Sequence, residues 1–141
     1  MERISVSSGS PFEATIGFSR AVRIGDRVAV SGTAPIAADG AVAAPGDAYG
    51  QMRRCLEIVA AALEGAGAAL ADVQRTRIYL TDVGAWGGVA RAHAEAFGAV
   101  RPASTFVVVA ALLDPAWLVE VEADAVVGSG TVEASRAGAS P

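Results

Sequence analysis

The 141-residue chain contains no lysine, because all 11 of its basic residues are arginine. A Schiff base to a carbonyl substrate or to pyridoxal phosphate needs a lysine amine and is thereby excluded. There is one cysteine, Cys55, and one histidine, His93. An internal disulfide is impossible, and neither a multi-histidine nor a cysteine-rich metal site can be built, so no metal is expected. Aromatic residues make up 6% of the chain, and its only adjacent basic residues are Arg53–Arg54. With a net charge of −4, nucleic acid is not an expected partner, since phosphates demand a positive face. No run approaches the ~18 uninterrupted apolar residues of a transmembrane helix, so no membrane span is expected. Met1, Glu2, Arg3 and Ile4 lack the basic-then-apolar order of a signal peptide, and a cytoplasmic location is expected.

Apolar residues are plentiful: they form 52% of the sequence, and the mean hydropathy is +0.42. For a single domain of this length, either the core is unusually well filled or apolar surface meets another subunit. Residues 1–15 read as an N-terminal segment with an edge strand near Arg3–Ser7. Residues 17–24 and 27–33 are short strand-like runs broken by Gly25-Asp26, a hairpin signal. Residues 34–46 read as a loop. A helix is predicted over 48–64, with Asp47 as its cap, Gly65 as its left-handed stop and Met52, Leu56, Val59 and Leu63 as its buried stripe. Arg75–Thr81 alternates as a half-buried strand. A second helix spans about 84–97, capped by Asp82, with Trp86, Val89, His93 and Phe97 on one face.

Residues 105–110 are β-branched or aromatic and read as a central strand. Residues 118–127 alternate, with Glu120, Glu122 and Asp124 opposite Val119, Val121 and Ala123. The Gly/Ser/Ala-rich residues 128–141 are expected to be a disordered tail. The order β-β-α-β-α-β-β implies a single α+β domain over 16–127. Its mixed, mainly antiparallel sheet carries both helices on one face. The other face, with Arg75, Arg77, Tyr79 and the three carboxylates, is expected to be solvated or buried between subunits, and composition favours assembly.

Five phrases in this order carry a resemblance. They are Gly17-Phe18-Ser19-Arg20-Ala21-Val22, Val28-Ala29-Val30-Ser31-Gly32-Thr33-Ala34-Pro35, Ile78-Tyr79-Leu80-Thr81-Asp82-Val83, Arg101-Pro102-Ala103 and Val119-Glu120-Val121-Glu122-Ala123. Together they resemble the RidA/YjgF/UK114 family, also labelled endoribonuclease L-PSP. The resemblance implies a chorismate-mutase-like fold, a homotrimer and small-molecule pockets between subunits. It also implies hydrolysis of reactive imines or enamines to keto acids and ammonia, without a cofactor.

Carried over residue by residue, Gly32 matches a glycine whose backbone faces the ligand, and Glu120 matches the glutamate that handles water. Phe18 stands where the family has a tyrosine, Ala90 where an asparagine is common, and Phe106 where a cysteine is frequent. Ser104 stands in place of the arginine that binds the substrate carboxylate. A serine cannot supply the two parallel charge-assisted hydrogen bonds of a guanidinium. Standard 2-aminoacrylate deamination is therefore not expected. The open alternatives are a hydrolase acting on another imine, enamine or related carbonyl derivative, and a trimer that binds a small ligand without turning it over. The labelled endoribonuclease activity fits the acidic composition poorly.

The residues leave further choices. Glu120 is a candidate general base, or else pairs with Arg75 or Arg77 across the sheet, as Glu122 and Asp124 would. Arg20 shares a strand face with Phe18 and is a candidate substitute anion anchor, with Arg101 as a second, or else it is exposed or ion-paired. His93 reads as packed, so a Ser104–His93 nucleophile is not expected. Cys55, Trp86 and Phe97 read as core. Trp117 lies in a turn.

Overall fold

A computed structural model describes residues 1–130. Six strands form one sheet: β1 (Arg3–Val6), β2 (Ala21–Ile24), β3 (Arg27–Thr33), β4 (Val73–Leu80), β5 (Ala103–Val108) and β6 (Val119–Val126). Their lateral order is β1-β2-β3-β6-β4-β5; β4 and β5 run parallel and every other neighbouring pair is antiparallel. The helices α1 (Ala48–Gly65) and α2 (Trp86–Phe97) cover one face, as the alternation of β4 and β6 requires. Ile78, Val119 and Val121 are fully buried there against Met52, Val59, Leu63 and Val89 of the helices.

Several local expectations need correction. Asp47 precedes α1 but its side chain caps no amide, and Gly65 is the last helical residue. The left-handed position is Gly67, at φ 82°. It reverses the chain so that the Ala68 amide bonds back to the Leu63 carbonyl at 2.8 Å. Asp82 does act as a cap, accepting from the Gly84 amide at 2.6 Å, but across a 3-10 turn (Val83–Ala85) that precedes α2. The second strand is shorter than its apolar pattern, because Glu13–Gly17 forms a turn of π-helix ahead of it.

Residues 105–110, expected to form a central strand, only overlap β5, which spans 103–108 and lies at the sheet edge, with Val107 42% and Val108 53% exposed. Its β-branched composition reports that both of its faces suit burial, not that a strand flanks each side. Trp86, expected in the core, is 46% exposed at the start of α2. Of the predicted tail, Ser129 and Gly130 are tied to Asp72, the latter amide to Oδ1 at 2.8 Å. Residues 131–141 lie outside the described residues.

The sheet face away from the helices carries the expected charges. Arg77 Nη1 lies 3.0 Å from Asp124 Oδ2 and 3.9 Å from Glu122 Oε1, and Tyr79 donates to Glu122 Oε1 at 2.5 Å. Cross-strand pairing thus occupies Glu122 and Asp124. Glu120 is outside it.

Candidate functional site

Glu120 is set apart by an irregularity in the neighbouring strand. The β3–β6 register slips between Val30 and Thr33, which pushes Gly32 towards the β6 side chains. A Cβ on Gly32 would overlap Glu120 Oε2, so only glycine leaves room for the carboxylate to lie against this backbone. The carboxyl is half buried. Desolvation raises its pKa, the Arg20 charge lowers it, the Glu122 charge raises it, and the balance lies above the ordinary carboxylate value. A carboxyl poised this way can exchange a proton nearer neutrality than an exposed glutamate can.

Arg20 braces the same bulge from beneath. It is only 9% exposed, and its Nη1 donates to the Gly32 carbonyl at 2.7 Å and to Thr33 Oγ1 at 2.9 Å. Its guanidinium carbon lies 5.4 Å from the centroid of the Phe18 ring. Ser31 completes the brace by donating to the Ser19 carbonyl at 2.6 Å. Phe18, Arg20, Gly32 and Glu120 therefore form one constellation, although Phe18 and Arg20 precede β2 and share no strand face. Arg20 sits in it as a buried brace; it is neither exposed nor, among the described residues, in an ion pair. Arg101 is exposed in a loop at φ 54°.

Sequence reasoning missed Thr33 and Glu13. Glu13 is 7% exposed and accepts from the Ser8 amide at 3.1 Å and the Ser8 hydroxyl at 2.5 Å. Burial alone would raise its pKa. The hydrogen bonds from Ser8 and Ser7, with the Arg20 charge, bring it below the ordinary value instead. A lone acid in a weakly patterned segment carries no signal of this role. Cys55 is core, as expected, and burial together with the Glu120 charge raises its thiol pKa strongly.

Ala90, Ser104 and Phe106 lie elsewhere. Ser104 pairs with Thr76, and Phe106 with Ile78, on the helix-covered face, whereas Glu120 points to the open face. Tyr79 is in register with both Glu120 and Val107, which puts Ser104 two strands across and three residues along from Glu120. That is roughly 14 Å at ordinary strand spacings. One copy of the chain does not bring the two groups together.

Near Ser104, His93 packs against Phe97 and Phe106 and also reaches the serine. Thr76 Oγ1 lies 2.9 Å from His93 Nε2 and donates to Ser104 Oγ at 2.7 Å, while Ser104 Oγ is 3.5 Å from the same nitrogen. The histidine is thus in contact with the serine. The proton order still does not make a nucleophile, because Ser104 donates to the Pro102 carbonyl at 3.2 Å, and Nε2 must then donate to Thr76. Burial lowers the His93 pKa, keeping the ring neutral. Phe106 packs edge-on at 4.7 Å from Trp86 and 5.2 Å from His93. A cavity of about 340 Å³ opens beside it, lined by Leu80, Val83, Trp86, Phe106, Val107 and Val108, with no charged residue. Ala90 is half buried on α2. Thr76 was legible only as a buried strand position, since alternation reports burial and not hydrogen bonding.

A six-stranded sheet with two helices on one face, and a desolvated glutamate against a glycine bulge on the other, defines a small α+β domain with an acid–base candidate at its sheet surface. Residues 9–127 match the model of the endoribonuclease L-PSP family, and the chain belongs to that family, known also as RidA/YjgF/UK114. An uncharacterized protein of Streptomyces coelicolor is 40% identical over 124 residues, 88% of this chain and 92% of that one. The crystal structure of Rv2704 from Mycobacterium tuberculosis, a member of the YjgF/YER057c/UK114 family, is 50% identical. It superposes with a TM-score of 0.80 over 89% of this chain and all of its own. The YjgF product of Escherichia coli is 28% identical with a TM-score of 0.73, over 86% and 92% of the two chains. Among the described residues, no helix is long and apolar enough to cross a membrane.

Proposed function

We propose that the protein is a homotrimer whose clefts between subunits hydrolyse an imine, enamine or related carbonyl derivative, with Glu120 as general base. The observation that carries this reading is the Glu120 carboxyl, held against the Gly32 backbone with its pKa raised by desolvation. Glu120 takes a proton from water as its oxygen adds to the imine carbon. Returning that proton to nitrogen gives a carbinolamine, and carrying its hydroxyl proton to the same nitrogen then expels ammonia and leaves the carbonyl. Backbone groups of the Gly32 bulge hold the substrate beside Phe18, and Arg20 keeps the bulge in place. Ala90, Ser104 and Phe106 supply the opposite wall from the next subunit, because they lie too far from Glu120 within one chain. Exposed Val107, Val108 and Leu113 and the charged open sheet face are surfaces that such an assembly would cover.

The wall at Ser104 offers hydroxyls and a neutral imidazole, not a guanidinium, which supports substrates other than 2-imino acids. The same observation favours a second reading, a trimer that binds a small neutral ligand without turnover. An RNA-cleaving activity, which the family's name suggests, fits poorly with a net charge of −4.

The test follows, with the purified protein and with Glu120→Ala, the decay of simple imines that an amine oxidase forms from several primary amines, beside the 2-imino acids that an amino-acid oxidase supplies. Acceleration over buffer that falls about 100-fold or more in the variant supports the hydrolase. Absence of acceleration for every imine removes it in favour of the binding trimer. Light scattering is expected to give three times the chain mass at micromolar concentration; a monomer contradicts the cleft.

A further inference from the structure

Arg20 carries an unexplained charge. It is nine-tenths buried, yet among the described residues both ion pairs belong to Arg77 and none to Arg20. Glu13 and Glu120 are near enough to favour its charged form, but neither carboxylate comes within 4.0 Å. Buried cations are ordinarily paired, because an unpaired one gives up its hydration without recompense. Among the described residues only Nη1 has protein acceptors. Among them, too, no fully buried side-chain nitrogen lacks a partner, so the remaining Arg20 nitrogens reach the surface.

Arg20 lines a cleft of about 240 Å³ between the end of β1 and the outer face of α1. A second guanidinium enters from Arg54, whose Nε donates to the Ile36 carbonyl at 2.7 Å and so fixes the plane of the group. One carboxylate, Glu57, lines the cleft without pairing to Arg54 one turn away, and the Ser7 and Ser8 hydroxyls flank it. Val6, Ile58, Ala61 and Ala62 form an apolar wall.

We propose that this cleft binds a free aliphatic amino acid as its zwitterion. The α-carboxylate lies between Arg20 and Arg54, the ammonium faces Glu57, and the side chain packs on Val6, Ile58, Ala61 and Ala62. Each element of the lining answers one part of such a ligand. A simple anion would face Glu57 and the apolar wall, and a cation would face two arginines. The cleft lies on the α1 side of Arg20, whereas Glu120 lies beyond the Gly32 bulge. Ligand binding would still reach that bulge, because the same guanidinium holds the Gly32 carbonyl. The inference does not depend on the assembly or on hydrolysis.

Calorimetric titration of the full-length protein tests it, with L-leucine, L-leucinamide, 4-methylpentanoate and inorganic phosphate as probes. Leucine is expected to bind in the millimolar range or tighter, and removal of either charge to weaken binding about tenfold or more. Glu57→Gln should weaken leucine but not 4-methylpentanoate, and Arg54→Gln should weaken both. Ala61→Phe, at an exposed helix position, should block the cleft without harming the fold. Absence of leucine binding at about 10 mM overturns the proposal. So does equal affinity for leucine, 4-methylpentanoate and phosphate, or leucine affinity untouched by Glu57→Gln.

Discussion

Gly32→Ala is expected to lower imine hydrolysis about 100-fold, nearly as far as removal of the Glu120 carboxyl itself. The added methyl would occupy the space of Glu120 Oε2. The backbone at Gly32 is not in the left-handed region, so alanine introduces no torsional strain there. The side chain that must give way is the far end of a glutamate, which swings into solvent at small cost. Stability should therefore change by no more than about 1 kcal/mol while the base is displaced from the bulge. Comparing kcat/KM with the melting temperature separates the two effects. Undiminished hydrolysis by Gly32→Ala would show that the contact between Glu120 and the bulge is unimportant to the chemistry.

Arg20→Ala is expected to destabilise the fold by about 3 kcal/mol. Two hydrogen bonds from one charged nitrogen, at 2.7 and 2.9 Å, hold the Gly32 carbonyl and the Thr33 hydroxyl where the β3–β6 register slips. Removing the donor leaves a fully buried Thr33 hydroxyl with one partner fewer and a void beside Phe18. Arg20→Lys should recover only part of the loss, since an ammonium can donate to both acceptors but lacks the planar group that lies over the Phe18 ring. Urea unfolding checks this through the midpoint, with the m-value unchanged if only stability is altered. A shift below about 0.5 kcal/mol would mean that the brace is replaceable by solvent.

These two residues show how far the sequence could be read. Gly32 and Glu120 were recognisable from the phrases around them, and the β6 alternation put Glu120 opposite its buried neighbours. The stripe of Met52, Leu56, Val59 and Leu63 likewise placed α1 on the core, because a single helical period records which face is buried. What could not be read was pairing between distant segments. The β-branched and aromatic run 105–110 suits either an interior strand or an edge strand whose exposed side awaits a partner. Nothing local distinguishes the two. The contact of His93 with Thr76 and Ser104 joins three elements, and spacing along the chain carries no trace of it. Arg20 lies just before β2, so strand alternation does not set its direction, and its inward turn depends on the acceptors that the bulge exposes.

The titration of Glu120 decides whether its carboxyl can serve as the base. Burial holds its pKa above the ordinary carboxylate value, so the folded state binds its proton more tightly than the unfolded chain does. Stability contributed by this group is then greatest below the ordinary carboxylate pKa and is lost as pH rises through the elevated value. Carbon-13 NMR of the side-chain carboxyl in the folded protein, assigned by its disappearance in Glu120→Gln, reads the pKa without any substrate. A midpoint clearly above those of the exposed glutamates, with hydrolysis rising through the same pH range, is the predicted result. A midpoint at or below the ordinary value would contradict it, leaving Glu120 a solvated surface carboxylate unsuited to act as the base.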